Sequence, residues 1–217
     1  MAGTFGDMVS RIDDELMRGG ADNTRIQNEI LTAIKHYEIE RFWFNEGVST
    51  STTTAGQGTL AVPTDLIEID DYQVTVSGRP RTIDPLDWAT FLREGGTDPA
   101  FKGQPRAYCY YADQFWLLPI PDNAYVLTLS YVKQLAALVN QTDGNAWMTF
   151  GEELIRARAS AAVAIRYLKD ADAIAEARTF QAGDRPVLCG LEEQALSNLR
   201  ARSNRKVMTG RVHPIAF

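Results

Sequence analysis

The feature that most constrains this chain is a change of hydrophobic period along its length. Near the N-terminus, apolar residues recur every three or four positions over residues 5–16 and 26–37, which is helical spacing. Residues 147–168 and 188–199 repeat in the same way. Between these ends, short apolar runs of strand length lie within residues 59–132 and are separated by Gly, Pro and Asp turns. The sequence therefore predicts an α+β chain, in which both termini build one helical bundle around an inserted β segment.

Three parts are predicted along the chain: a helical bundle domain of residues 1–47 and 140–206, an antiparallel β-rich insertion of residues 48–139, and an extended C-terminal arm of residues 207–217. The second helix is expected to run into Asn45, with Gly47 as a left-handed cap. Residues 48–57, VSTSTTTAGQ, are expected to form a polar loop. Gly210 and Pro214 exclude a regular helix from the arm.

Within the insertion, the runs YQVTV, AYCYY, FWLLP and AYVLTLSYV predict strands, and the alternation of the last one predicts a sheet with one covered face. Asp84 and Pro85 are expected to open a short helix that Gly95 and Gly96 close. Beyond the insertion, further helices are predicted around residues 171–180 and after Asp184.

An aromatic stretch, HYEIERFWFNEG, stands where the N-terminal helices meet the insertion. Phe42, Trp43 and Phe44 are consecutive, so they are all buried only if the chain is covered there on several sides. Together with Tyr37, these residues are interpreted as a hydrophobic joint between helix and sheet. A platform that stacks bases or sugars is the less favoured interpretation.

Motifs of catalysis and cofactor binding are absent from the sequence. There is no G-x-S-x-G elbow, no G-x-G-x-x-G loop and no phosphate-binding Walker loop. The two histidines, His36 and His213, are too far apart in sequence to suggest a metal site. Neighbouring carboxylates such as Glu152 and Glu153 point about 100° apart on a helix, so they do not converge on a substrate. No catalytic residue, cofactor or metal is therefore predicted.

The charge is distributed unevenly. All 28 acidic residues precede Ala195, so residues 1–195 carry a net charge of −11, and the last 22 residues carry +5. Such a basic end on an acidic body suits an acidic partner. The two cysteines stand in no metal-like spacing, and neither a signal peptide nor an apolar run long enough for a bilayer is present. We expect a soluble protein with no membrane partner, made in the cytosol.

The end of the arm combines charge with apolar side chains that an irregular terminus does not usually expose. Its residues are Arg211, Val212, His213, Pro214, Ile215, Ala216 and Phe217. Docking on another molecule is the favoured interpretation, and docking back onto the same chain is the alternative.

The order of these segments resembles the head-to-tail adaptor proteins of tailed bacteriophages, also called connector or tail accessory proteins. The resemblance is carried by ERFWFNEG, then VPTDLIEIDDYQV, then PRAYCYYADQFWLLPIPDNAYVLTLSYV, then NAWMTFGEELIRARASAAVAIRYLKD. It covers residues 5–205, and its specificity lies in the ordered set of segments.

The resemblance implies a structural virion protein and no enzyme. Such adaptors form a ring, commonly of about twelve copies, beneath the portal at the capsid vertex. The ring extends the channel for double-stranded DNA, which passes without specific binding, and it docks tail or nozzle proteins. The C-terminal segment of such proteins often reaches the portal, which would make residues 211–217 the portal-docking arm. The implied location is the head-tail junction of the virion, after assembly in the cytoplasm of the host bacterium.

Three alternatives stay open from the sequence. Another virion ring, such as a stopper or tail terminator, is usually more fully β than this chain. An adaptor-like protein with lytic activity on the cell wall would need a reactive site. A cellular helical interaction module would share the helices without a role in a virion.

Overall fold

The computed structural model of the chain describes residues 3–16, 19–20, 22–168 and 191–209; of Leu168 and residues 204–209 it describes the backbone alone. The chain divides into two compact units, one of Met1–Asn45 with Leu135–Phe217 and one of Glu46–Gln134. We call them the helical unit and the β unit. Helices and largely antiparallel sheets are both present, so the predicted α+β class is confirmed.

The helical unit contains α1 (Phe5–Glu15), α2 (Asn23–Tyr37), α4 (Ala146–Phe150), α5 (Glu152–Val163), a π-helical segment (Ala164–Leu168) and α6 (Leu191–Thr209). A capping box begins α1: the Thr4 hydroxyl accepts a hydrogen bond from the Asp7 amide, and the Asp7 carboxylate accepts one from the Thr4 amide. Side chains from all five α-helices share one core. Its fully buried members include Ile12, Ile26, Ile30, Phe42, Trp147, Met148, Leu154 and Ile155.

Two predicted helix limits are wrong. The helix expected to run into Asn45 ends at Tyr37, and a turn follows. The Asn45 side chain holds this turn, because it accepts a hydrogen bond from the Phe42 amide (2.8 Å) and donates one to the Glu40 carbonyl (2.7 Å). At the other end, the arm was expected to start at residue 207, but α6 continues through Thr209 because no helix-breaking residue precedes Gly210.

The predicted helix around residues 171–180 and the cap at Asp184 lie outside the described residues. So do Cys189 and His213.

Ten strands and the short helix α3 (Trp88–Arg93) make up the β unit. The strands are β1 (Glu46–Thr52), β2 (Thr59–Ala61), β3 (Leu66–Val76), β4 (Arg79–Thr82), β5 (Asp84–Pro85), β6 (Lys102–Gly103), β7 (Ala107–Tyr111), β8 (Gln114–Leu118), β9 (Ile120–Pro121) and β10 (Val126–Lys133). They form a sheet of order β1-β10-β3-β4, a second of order β2-β8-β7-β5, and a small pair β6-β9.

The two larger sheets share a core. Tyr72 and Leu127 of the first sheet belong to one buried cluster with Tyr108 and Phe115 of the second. The Tyr72 ring lies 5.1 Å from each of the Tyr108 and Phe115 rings, measured between centroids. Burial raises the pKa of Tyr72 to about 12, so this hydroxyl stays neutral at physiological pH.

Two expectations for the β segment are wrong. The expected loop of residues 48–57 contains most of β1, which pairs with β10 over its whole length. The expected helix opening at Asp84 and Pro85 is instead the strand β5, which pairs in parallel with β7. The helix starts at Trp88, because the Asp87 carboxylate caps it by accepting from the Thr90 amide (3.0 Å).

Candidate functional site

The aromatic residues singled out from the sequence belong to a ring cluster of the helical unit. Phe42, Trp43 and Phe44 pack with Trp147 and Phe150 of α4, and we call these five residues the aromatic cluster. The centroid of the Trp147 ring lies 5.7 Å from that of Phe42 and 5.1 Å from that of Phe44, both edge-on. Phe42 and Trp147 are fully buried, whereas Phe150 is 43% exposed. The cluster therefore has a packed base and an accessible rim.

The C-terminal helix α6 is attached beside this cluster. The Arg202 guanidinium lies 4.6 Å from the centroid of the Trp43 ring, a cation–π contact. The Trp43 amide donates to the Ser203 hydroxyl (3.3 Å), and the Arg200 guanidinium forms a two-pronged ion pair with Glu40. Residues 40–43 thus contact the last described side chains of α6.

Tyr37, the fourth aromatic residue singled out, belongs to a buried polar group that joins three helices. Its hydroxyl donates to the Glu192 carboxylate of α6, which also accepts from Arg158 of α5 (2.8 Å). Burial is the main reason that the pKa of Tyr37 is raised, and the hydrogen bond to Glu192 adds to it. Tyr37 is therefore a neutral donor that orients Glu192, which is itself only 9% exposed.

Two further ion pairs hold the helices of this unit together. Arg166 of the π-helical segment donates twice to the Glu29 carboxylate of α2 (2.7 and 2.8 Å), and Glu29 is only 3% exposed. Arg156 and Ser160 of α5 both donate to Glu15 at the end of α1. Each of these two carboxylates forms a salt bridge with an arginine of another helical segment. We therefore interpret them as structural contacts between helices.

His36 lies on the exposed side of α2, edge-on to Tyr37. Among the described residues, no three His, Cys, Asp or Glu side chains gather as metal ligands. A surface cavity of about 310 Å³ between α5 and α6 is lined by the Glu15, Arg156 and Ser160 side chains that bond one another. The described part of the chain also contains no helix long and apolar enough to span a bilayer.

Tyr37 and Phe42 thus belong to the core of the helical unit, and Trp43 and Phe44 pack against that core. A joint between these residues and the sheet stays a prediction. Residues Arg211–Phe217 lie outside the described residues, so their docking stays a prediction as well. Sequence reasoning missed Trp147 and Phe150 as partners of the cluster. Their only sequence signal was a place on the apolar stripe that begins the C-terminal helices.

Comparison with known families assigns the chain to a class, the head-to-tail adaptors of bacteriophages. Residues 3–210 match the sequence model described as the SU10 adaptor protein, and this match spans most of the chain. The chain belongs to the SU10 adaptor protein family, as the resemblance in its segment order predicted. No curated protein matches it. Membership makes the chain a structural component of a phage particle.

Proposed function

We propose that copies of this chain form a ring beneath the portal, extend the DNA channel and provide the surface on which tail proteins dock. The observation that carries this proposal is the family match across residues 3–210. Two separately packed units suit such a role, because one can face neighbouring copies or the portal while the other faces the tail. A closed ring needs contacts between unlike faces of adjacent copies. We expect the ring to contain about twelve copies. Electron microscopy of the purified chain with portal tests the ring.

The net negative charge of most of the chain supports a channel through which DNA slides without tight binding. Residues 1–195 carry a net charge of −11, and duplex DNA carries one negative charge per about 1.7 Å of its length. A lumen lined mainly by Arg and Lys would hold phosphates through many contacts and slow ejection. We therefore propose that acidic residues outnumber basic ones on the inner wall, and that double-stranded DNA passes without specific binding.

The C-terminal arm is proposed to dock the ring on the portal. Its terminal segment, residues 211–217, begins two positions after the last residue of α6 in the sequence. Contacts with Trp43 and Glu40 hold this helix in place. A helix fixed at this point would project a short apolar and basic segment toward a partner.

Deleting residues 210–217 is expected to leave a folded chain that no longer joins portal-bearing capsids. The core is expected to be unaffected, because the described side chains of α6 that pack in it, Ala195 and Leu199, precede the deletion. Co-sedimentation with capsids measures joining, and circular dichroism measures folding. A variant in which an eight-residue Gly/Ser segment replaces residues 210–217 controls for chain length. Normal joining by either variant would show that the arm is not the docking element.

A further inference from the structure

The charges of the β1-β10-β3-β4 sheet are separated along its strands. One end of the sheet, which we call the acidic end, consists of residues 46–48, 66–71 and 130–133. It carries four acidic residues and one basic residue, a net charge of −3. The opposite end, which we call the basic end, consists of residues 50–52, 73–82 and 126–128. It carries two arginines and no acidic residue, so opposite charges lie at opposite ends of one sheet.

The two arginines of the basic end lie on a tight hairpin. Ser77 and Gly78 both have positive φ, which is the geometry of a two-residue hairpin turn, and they join β3 to β4. Arg79 and Arg81 of β4 are exposed, and neither forms an ion pair with a described residue. Pairing of β4 with β3 fixes the backbone that carries them. Both guanidinium groups are therefore available to carboxylates of another molecule.

The acidic end presents carboxylates on the strand that leads into this hairpin. Glu68 and Asp70 of β3 are exposed. Glu46 is exposed as well, and it lies in the same cross-strand row as Glu68, two strands away. The basic residue at this end is Lys133, which is half-buried with its Cδ atom beside Gly47. One lysine does not offset four carboxylates, so a partner meets a negative surface here.

The two ends cannot neutralise each other within one copy. Arg81 pairs with Val74, which lies six residues beyond Glu68 on β3, and six residues of strand span roughly 20 Å. An ion pair requires N and O atoms within about 4 Å, and physiological salt screens exposed charges beyond about 8 Å. A second copy supplies the acidic end that the hairpin lacks. A contact between unlike ends is also heterologous, which is the kind of contact that closes a ring.

We propose that neighbouring copies of this chain join end to end at this sheet, with Arg79 and Arg81 of one copy bound to Glu68 and Asp70 of the next. This inference rests on the proposed ring and names the residues that link its copies. A second copy is favoured over DNA or another virion protein, because the chain itself carries the complementary charge at the opposite end of the same sheet. Guanidinium–carboxylate pairs would also fix the orientation of adjacent copies.

Two charge-reversed variants of the full chain test this contact. The hairpin variant carries Arg79→Glu and Arg81→Glu, and the end variant carries Glu68→Arg and Asp70→Arg. Each is mixed with the portal protein, alone or with an equal amount of the other, and electron microscopy counts portals that carry a ring. Circular dichroism checks that each variant folds.

A matched control separates this contact from a general effect of charge. Arg93→Glu with Lys102→Glu changes the net charge by the same amount as the hairpin variant. Both residues are exposed and lie outside the four-stranded sheet. This control is expected to form as many rings as the wild type.

Each reversed variant alone is expected to form at least about tenfold fewer rings than the wild type, because like charges then face each other between copies. The equal mixture is expected to recover the rings. Copies of the two kinds can alternate around the ring, and every contact then joins opposite charges again. Such a recovery requires that the hairpin of one copy binds the acidic end of another.

A mixture that forms no more rings than either variant alone would overturn the proposal. It would show that the hairpin binds the portal, DNA or nothing instead of a second copy. Normal rings from the hairpin variant alone would overturn it too. Absence of rings with the wild-type chain would instead contradict the proposed function, so the two failures are distinguishable.

A milder variant keeps the test valid if a charge reversal folds poorly. Arg79→Gln with Arg81→Gln removes both positive charges and adds no repulsion. At about 0.05 M salt it is expected to form severalfold fewer rings than the wild type. At about 0.5 M salt the difference is expected to shrink, because salt then screens the contact in the wild type as well. Equal numbers of rings at low salt would overturn the proposal.

Discussion

Replacing Trp147 with alanine is expected to lower the free energy of unfolding of the helical unit by about 3–5 kcal/mol. The indole is 1% exposed and packs edge-on against both Phe42 and Phe44. Its removal leaves a cavity that neighbours cannot fill by a small shift, because Phe42 is held from the backbone side by Asn45. Chemical denaturation followed by circular dichroism measures the loss.

Phe150→Ala is the matched control for this prediction. Phe150 belongs to the same aromatic cluster but is 43% exposed, so its truncation is expected to cost about 1 kcal/mol. If both substitutions cost the same, Trp147 does not form the packed base of the cluster. Trp147→Phe adds a further comparison. The indole Nε1 is buried without a hydrogen-bond partner among the described residues. Removing this unpaired donor offsets part of the free energy of unfolding that is lost with the smaller side chain.

Replacing Gly96 with alanine is expected to destabilise the β unit by about 3 kcal/mol. A methyl group at this position would lie 2.2–2.4 Å from three atoms of the Phe91 ring, far inside van der Waals contact. Phe91 is fully buried and stacks on Trp88, with Trp116 against its edge, so the ring has no free direction in which to move. Thermal unfolding of the two proteins, followed by tyrosine and tryptophan fluorescence, measures the difference.

Gly103→Ala is the control, because its added methyl group would lie 3.7 Å or more from its nearest neighbour, Pro119. We expect a change of less than about 1 kcal/mol there. The double variant Gly96→Ala with Phe91→Leu should recover part of the stability by removing the clashing ring. If Gly96→Ala alone is as stable as the wild type, the packing of α3 described above is incorrect.

Much of the fold follows from local sequence patterns. The predicted strands AYCYY and FWLLP lie within one or two residues of β7 and β8, because their aromatic residues favour strands and a tight turn joins them. Helix α1 is similarly determined by its cap and its apolar spacing. In these places propensity, pattern and turn chemistry agree.

Strand β1 could not be predicted from its local sequence pattern. Its sequence, EGVSTST, is polar and of low complexity, and such composition is typical of loops. It forms a strand because β10, about eighty residues later, pairs with it along its whole length. The alternation of Val48, Thr50 and Thr52 was the only available signal.

The candidate site is likewise only partly predictable from the sequence. Burial of Phe42 was predictable, because consecutive aromatic residues need cover on several sides. Its partner Trp147 lies about a hundred residues away, and nothing in either segment specifies the other. The salt bridge between Arg158 and Glu192, with the hydrogen bond from Tyr37 to Glu192, is likewise a product of packing between distant helices.

The central claim is that this chain builds surfaces for other copies of itself and for neighbouring virion proteins. Cryo-electron microscopy of the purified chain mixed with its portal protein tests it most directly. The account predicts a closed ring of about twelve copies seated on the portal, coaxial with its channel. A chain that stays monomeric beside an unoccupied portal would contradict it.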